Sequence, residues 1–118
     1  MTVELVVTPK SVDHIYELIN VGADSFVIGE EKYGLRLAGE FKREELKKAI
    51  EIIHQAGKKA YVSVNAIFHN EDIDDLVDYL HYLSTLNVDA LIFGEPTIIT
   101  ILREENLDFK LQWDPHTL

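Results

Sequence analysis

The sequence predicts an α/β fold built on parallel strands. Short apolar runs rich in Val, Ile and Phe alternate with stretches whose apolar residues recur at helical spacing. The runs are apolar on both faces, as parallel strands are. Polar residues gather directly after the runs, at the end of an α/β sheet where ligands bind.

The elements follow in order. Val3 to Val7 is an apolar strand, stopped by Pro9. Ser11 can cap a helix whose inward stripe is Val12, Ile15, Leu18 and Ile19, with Gly22 as its C-terminal punctuation. Ser25 to Ile28 is the second strand and closes on Gly29-Glu30. The segment from Glu31 to Phe41 is too long for a minimal βα connection, and long ordered loops carry function. A second helix runs from about Arg43 to Gln55, with Leu46, Ala49, Ile50 and Ile53 facing in and Gly57 ending it.

Tyr61 to Val64 is the central buried strand and ends on Asn65, a residue disfavoured inside strands. Phe68-His69-Asn70-Glu71 follows, then a helix from about Glu71 to Leu86 with the stripe Ile73, Leu76, Val77, Leu80 and Leu83. Ala90 to Phe93 is the fourth strand, ending at Gly94-Glu95. Pro96 suits the first turn of a fourth helix carrying Ile98, Ile99, Ile101 and Leu102. Phe109 to Trp113 begins a fifth strand that ends at Asp114-Pro115-His116. Residues 22–30 echo residues 88–95, each with an acid before a buried strand that closes on Gly-Glu. Repeated βα units of this kind build (β/α) barrels.

With 118 residues, 47% apolar and 27% charged, the chain is expected to form one globular domain. No run is long enough to span a membrane, and the N-terminus lacks a basic region followed by an apolar core. The absence of cysteine rules out disulfides, thiolate catalysis and an iron–sulfur cluster ligated by this chain, and a cytoplasmic location is expected. The net charge of −10 opposes a phosphate-tracking surface, so nucleic-acid binding is not expected of this segment. Lys42, Arg43, Lys47 and Lys48 interleave with Glu44 and Glu45 and read as a solvated helix face.

Two architectures compete. One is part of a TIM-type barrel, about four βα units plus a fifth strand. The other is a five-stranded doubly wound sheet of flavodoxin type, which the length favours, because a full barrel needs roughly 200 residues or more. Several motifs tip the balance. Ala23-Asp24, Gly29 to Phe41 with Tyr33-Gly34-Leu35-Arg36, Glu44-Glu45-Leu46, Gly57 to Asn65, His69-Asn70-Glu71 and Val88 to Ile92 together resemble the amino-terminal part of the U-32 family of collagenase-like peptidases. The resemblance covers nearly the whole chain. It implies the amino-terminal portion of a (β/α) barrel over residues 1–118. It also implies that iron–sulfur members draw four cysteines from later segments. The family's usual Pro-Ala-Gly after the first strand is Thr8-Pro9-Lys10 here, so a first-strand contribution to a site is not expected.

In a barrel, the strand ends converge on one rim. That places Asn65, His69, Glu95 and Asp114 as candidate catalytic residues, joined by His116, able to act as acid–base pairs or to hold a divalent metal. Glu30, Tyr33 and Arg36 are candidate substrate-binding residues, Arg36 as a clamp for a carboxylate or phosphate. Each has a plainer reading: Glu30 and Glu95 as solvated turns, Asn70 as a helix cap, Tyr33 and Trp113 as packing. No Gly-Lys-Ser/Thr loop, Gly-x-Ser-x-Gly elbow or His-Glu-x-x-His motif is present, and no nucleophile is identifiable. The resemblance implies peptide hydrolysis, with the module inactive by itself. It also implies, as an alternative, part of an enzyme hydroxylating RNA bases or quinone precursors. The third reading is a non-catalytic assembly or binding module. Open strand edges lead to an expectation of a homodimer, or of pairing with a carboxyl-terminal half.

Overall fold

The computed structural model describes residues 4–31, 33, 41–64, 73–93 and 96–113. Its elements are β1 (Val6–Val7), α1 (Val12–Asn20), β2 (Ser25–Ile28), α2 (Arg43–Gln55), β3 (Lys59–Val64), α3 (Ile73–Ser84), β4 (Ala90–Phe93), α4 (Thr97–Glu104) and β5 (Leu111–Trp113). The extents predicted for α2 and β4 hold. Within the described residues β1 is shorter than expected, β5 starts two residues late, and β3 starts at Lys59 rather than Tyr61. The candidate residues Arg36, Asn65, His69, Asn70, Glu95, Asp114 and His116 lie outside the described residues.

The five strands form one parallel sheet in the order β1-β2-β3-β4-β5. Every step goes to the next neighbour in the same direction. With right-handed crossovers, that order puts all the helices on one face. A doubly wound sheet needs a reversal of strand order, and none occurs among these five strands. The fold is therefore a partial (β/α) barrel.

Burial agrees with helices on one face. Phe26, Ile28, Ala60, Val62, Val64, Leu91 and Phe93, alternate residues along β2, β3 and β4, share one core with residues from all four helices. Those helical residues include Ile15 of α1, Leu46 and Ile53 of α2, Leu80 and Leu83 of α3, and Ile98 and Leu102 of α4. The intervening positions Ser25, Lys59, Tyr61 and Ser63 belong to the opposite face. That face is the interior side of a barrel sheet, which explains its mixed polarity.

The helix ends follow the sequence signals. The Ser11 Oγ accepts from the His14 backbone N–H at 3.1 Å. Gly57 follows α2 at φ +74°, where a side chain would be strained. One stripe is corrected: Ile73, expected to face in, is 39% exposed, and Tyr79 is fully buried instead. The buried set of α3 is Leu76, Tyr79, Leu80 and Leu83, one consistent helical face.

The echo at Asp24 and Asp89 has a structural cause. Each aspartate stands just before an even-numbered strand and ties it to the strand before. Asp24 Oδ2 accepts from Leu5 N–H at 2.8 Å, while Asp24 N–H donates to Leu5 C=O at 2.9 Å. Asp89 Oδ2 accepts from Ala60 N–H at 2.7 Å, while Asp89 N–H donates to Ala60 C=O at 2.9 Å. Asp89 also meets His54 Nε2 at 2.8 Å. These clamps lie at the amino end of the sheet, away from the mouth where barrels hold their sites.

Candidate functional site

At the carboxyl end of the sheet the structure assembles five side chains from two successive βα units: Glu30, Tyr33, Arg43, Asp75 and Tyr79. Glu30 directly follows Gly29 at the end of β2, while Arg43 opens α2 and Asp75 lies in the first turn of α3. In a parallel βα array, strand ends and following helix starts share one rim, which is why residues far apart in sequence meet here.

The Arg43 guanidinium joins the set. Its Nε donates to Glu30 Oε2 at 2.5 Å, and its Nη2 donates to Glu30 Oε1 at 3.3 Å and to Asp75 Oδ2 at 3.2 Å. Two carboxylates thus share one cation, and both oxygens of Glu30 are engaged. Arg43 also lies over the Tyr79 ring, with Cζ 4.9 Å from the centroid. Tyr33 stacks on the same ring at 5.3 Å between centroids and 20° between planes, and its hydroxyl donates to Asp75 Oδ2 at 2.6 Å. The Tyr79 hydroxyl accepts from the Glu30 backbone N–H at 3.3 Å.

The electrostatics fix the protonation states. The hydrogen bond to Glu30 raises the Arg43 guanidinium further above its already high range, and Coulombic attraction to both carboxylates adds to this. Burial raises the Tyr79 hydroxyl well above the ordinary tyrosine value, and the neighbouring Glu30 charge pushes the same way. Burial also raises Tyr82 nearby. Arg43 therefore stays charged and Tyr79 stays protonated at neutral pH. Neither serves as a general base there. With two carboxylates on it, Arg43 is a brace rather than a free anion clamp.

The brace sits where the chain leaves β2 and where it enters α2. Phe41 N–H donates to Gly29 C=O at 3.3 Å, and Glu31 N–H donates to Phe41 C=O at 2.9 Å. Glu31 and Phe41 are thus paired directly at the end of β2. Glu30 and Arg43 flank that pairing with their ion pair, while Tyr33 is tied to α3 through Asp75.

The predicted residues fall as follows. Glu30 is buried on the helix side of the rim rather than solvated. Tyr33 is 4% exposed and hydrogen-bonded within the cluster. Arg43, expected on a solvated basic face, is instead the centre of the cluster; Lys42, Lys47 and Lys48 are exposed as expected. Sequence reasoning missed Asp75 and Tyr79. Their signal was positional: they are four residues apart, hence on one helix face, beginning in the turn that follows a strand end. Among the described residues no group of three His, Cys, Asp or Glu is placed to hold a metal ion. The chain has no cysteine, so its residues do not fit an iron–sulfur cluster. A groove of about 300 Å³ opens elsewhere, lined by Lys47, Ile50, His54 and Asn87, among others, between the carboxyl ends of α2 and α3.

A sequentially ordered parallel sheet with helices on one face and a polar cluster at its carboxyl rim defines a barrel-type α/β protein. The sequence pattern of peptidase family U32 matches residues 10–117, and the chain belongs to that family. It is 51% identical over 114 residues, 97% of this chain, to tRNA hydroxylation protein P2 of Bacillus subtilis, of which it covers 37%. It is 26% identical over 110 residues to a collagenase of Porphyromonas gingivalis, covering 92% of this chain and 27% of that protein. The chain thus spans well under half the length of either relative. The structure of the U32 peptidase Mk0906 superposes with a TM-score of 0.70 at 18% identity, over 94% of this chain and 47% of that one, which shows the shared fold. No helix among the described residues is long and apolar enough to cross a membrane.

Proposed function

We propose that this chain is the amino-terminal barrel portion of a tRNA hydroxylation protein rather than of a peptidase. The observation that carries the reading is 51% identity over 97% of the chain to a protein of that name, against 26% to the collagenase. Two features of the chain support it. The described Ser63 is fully buried and donates to Ile28 C=O, Ser84 and Thr85 donate to carbonyls in their own helix turn, and the Ser25 Oγ is buried at the amino end of β2, away from the rim. A serine peptidase needs a hydroxyl aimed at a base instead. The second feature is the braced rim, in which Arg43 and Tyr79 keep their protons and supply no general base.

In this reading Asn65, His69, Glu95 and Asp114 are the catalytic contribution of this chain to the rim. Glu30 and Tyr33 shape its wall, and Arg36 meets substrate. The net charge of −10 means that tRNA phosphates are contacted by other parts of the full-length protein. A cytoplasmic location accompanies this role.

The test is mass spectrometry of tRNA nucleosides from cells lacking the protein. The expected result is a modified nucleoside lighter by one oxygen atom, restored by the full-length protein but not by its His69→Ala variant. An unchanged nucleoside profile together with peptide cleavage by the purified full-length protein overturns the proposal.

A further inference from the structure

We propose that Tyr33 is a redox-active tyrosine, poised to give one electron to an oxidant at the rim while its phenolic proton passes to Asp75. The Oη–H bond of Tyr33 breaks, an O–H bond forms on Asp75 Oδ2, and the electron leaves for a one-electron oxidant. The products are a neutral phenoxyl radical, a neutral carboxylic acid and the singly reduced oxidant. Re-reduction returns the proton to Tyr33.

The hydrogen bond is the central observation. A phenol that loses an electron but keeps its proton is a radical cation, and a positive charge is costly where water is excluded. A carboxylate already seated on the O–H takes the proton in the same step. The Tyr33 hydroxyl donates to Asp75 Oδ2 at 2.6 Å. Among the described residues, no other tyrosine hydroxyl donates to a carboxylate. Arg43 does not depend on the Asp75 charge, because its guanidinium keeps both oxygens of Glu30 when Asp75 becomes neutral.

The surroundings put the radical on Tyr33 rather than on Tyr79. The two rings stack at 5.3 Å between centroids, close enough to exchange an electron. Yet the Tyr79 hydroxyl accepts from the Glu30 N–H and meets no acceptor for its own proton among the described residues. Arg43 Cζ lies 4.9 Å from the centroid of Tyr79 and repels positive charge on that ring. Tyr33 is also shielded, 4% exposed against 52% for Tyr16. Phenoxyl radicals decay by coupling with one another, so a buried one outlives one on the surface. That the oxidant in the cell is an activated-oxygen species formed during hydroxylation rests on the function proposed above; that Tyr33 yields the electron does not.

Flash oxidation of the full-length protein by a ruthenium(III) polypyridyl complex reads the radical through its phenoxyl absorbance and electron paramagnetic resonance. Circular dichroism confirms that each variant folds. A long-lived phenoxyl component is expected in wild type, missing in Tyr33→Phe and retained in Tyr79→Phe. Asp75→Asn slows its formation about tenfold or more. It also makes the rate rise with the concentration of buffer base, which takes over as proton acceptor; a loss of packing alone would not do this. Wild type and Asp75→Glu form the radical at a rate independent of buffer. No long-lived component in wild type overturns the proposal. So does a component that survives in Tyr33→Phe, or a wild-type rate that itself rises with buffer base. The photochemistry reads Tyr33 and the nucleoside profile reads hydroxylation, so either can fail without the other.

Discussion

Replacing Arg43 by Ala removes the only cation bonded to Glu30 among the described residues. The Glu30 side chain is 7% exposed and that of Arg43 is 30% exposed. Breaking a fully buried pair by deleting one partner costs about 3–5 kcal/mol, because the surviving charge is left without compensation. Water reaches Arg43 here, which lowers the expected loss to about 2–3 kcal/mol, including the packing on Tyr79. Glu30→Gln retains the shape but not the charge, and is expected to cost about 1–2 kcal/mol. The double variant leaves no buried carboxylate without its cation, since Asp75 is 41% exposed and reaches water, so it is expected to lose less than the two single losses combined, by about 1–2 kcal/mol. Urea unfolding reads all four corners of this cycle. With a slope of about 1.5 kcal/mol per molar urea, Arg43→Ala lowers the midpoint by about 1.3–2 M. A midpoint within error of wild type, or strictly additive losses, would refute the brace.

Three further outcomes are expected. Tyr79 keeps its proton in the folded chain, while the unfolded chain loses it near the ordinary value of about 10. Its contribution to stability is therefore full below that pH and falls as pH rises above it. Tyrosinate absorbance should show a late phase that coincides with alkaline unfolding and is missing in Tyr79→Phe. Asp89→Ala leaves the buried Ala60 N–H and the His54 ring without their acceptor and is expected to cost about 1–3 kcal/mol in thermal unfolding, more than Asp24→Ala at the open edge. Gly57→Ala meets no atom within 4 Å, so its expected loss of about 1 kcal/mol comes from the positive φ alone, and Gly57→Asn should recover part of it.

The fold was largely legible because the helical and strand periods agree with the punctuation. Helix α2 was bounded by its apolar stripe and by Gly57, and β4 by an acid before it and a glycine after it. Ile73 misled because an apolar residue in a helix's first turn fits the periodic stripe whether or not anything covers it. Tyr79 was overlooked because its ring belongs to the core while its hydroxyl belongs to the cluster. Arg43 was unreadable for a different reason. Its neighbours in sequence are Lys and Glu, which suggest a solvated face, yet its partners lie far along the chain, Glu30 across the long loop and Asp75 in the next βα unit. Local charge pattern carries no information about contacts across units. The strand order, in turn, separates a barrel sheet from a doubly wound one, and no single strand encodes it.

The paired aspartates divide the sheet unevenly. Asp24 rivets β2 onto β1, and Asp89 rivets β4 onto β3, whereas the β2–β3 seam meets no such carboxylate among the described residues. That seam is held instead by its four-residue ladder, by Ser63 Oγ donating to Ile28 C=O, and at the rim by the Arg43–Asp75 bond. Amide exchange should find the Leu5 and Ala60 protons guarded by side-chain acceptors as well as by the ladder. Fastening therefore alternates between the two ends of the sheet: aspartates at the amino end for the outer seams, and the Arg43 brace at the carboxyl end for the seam between them.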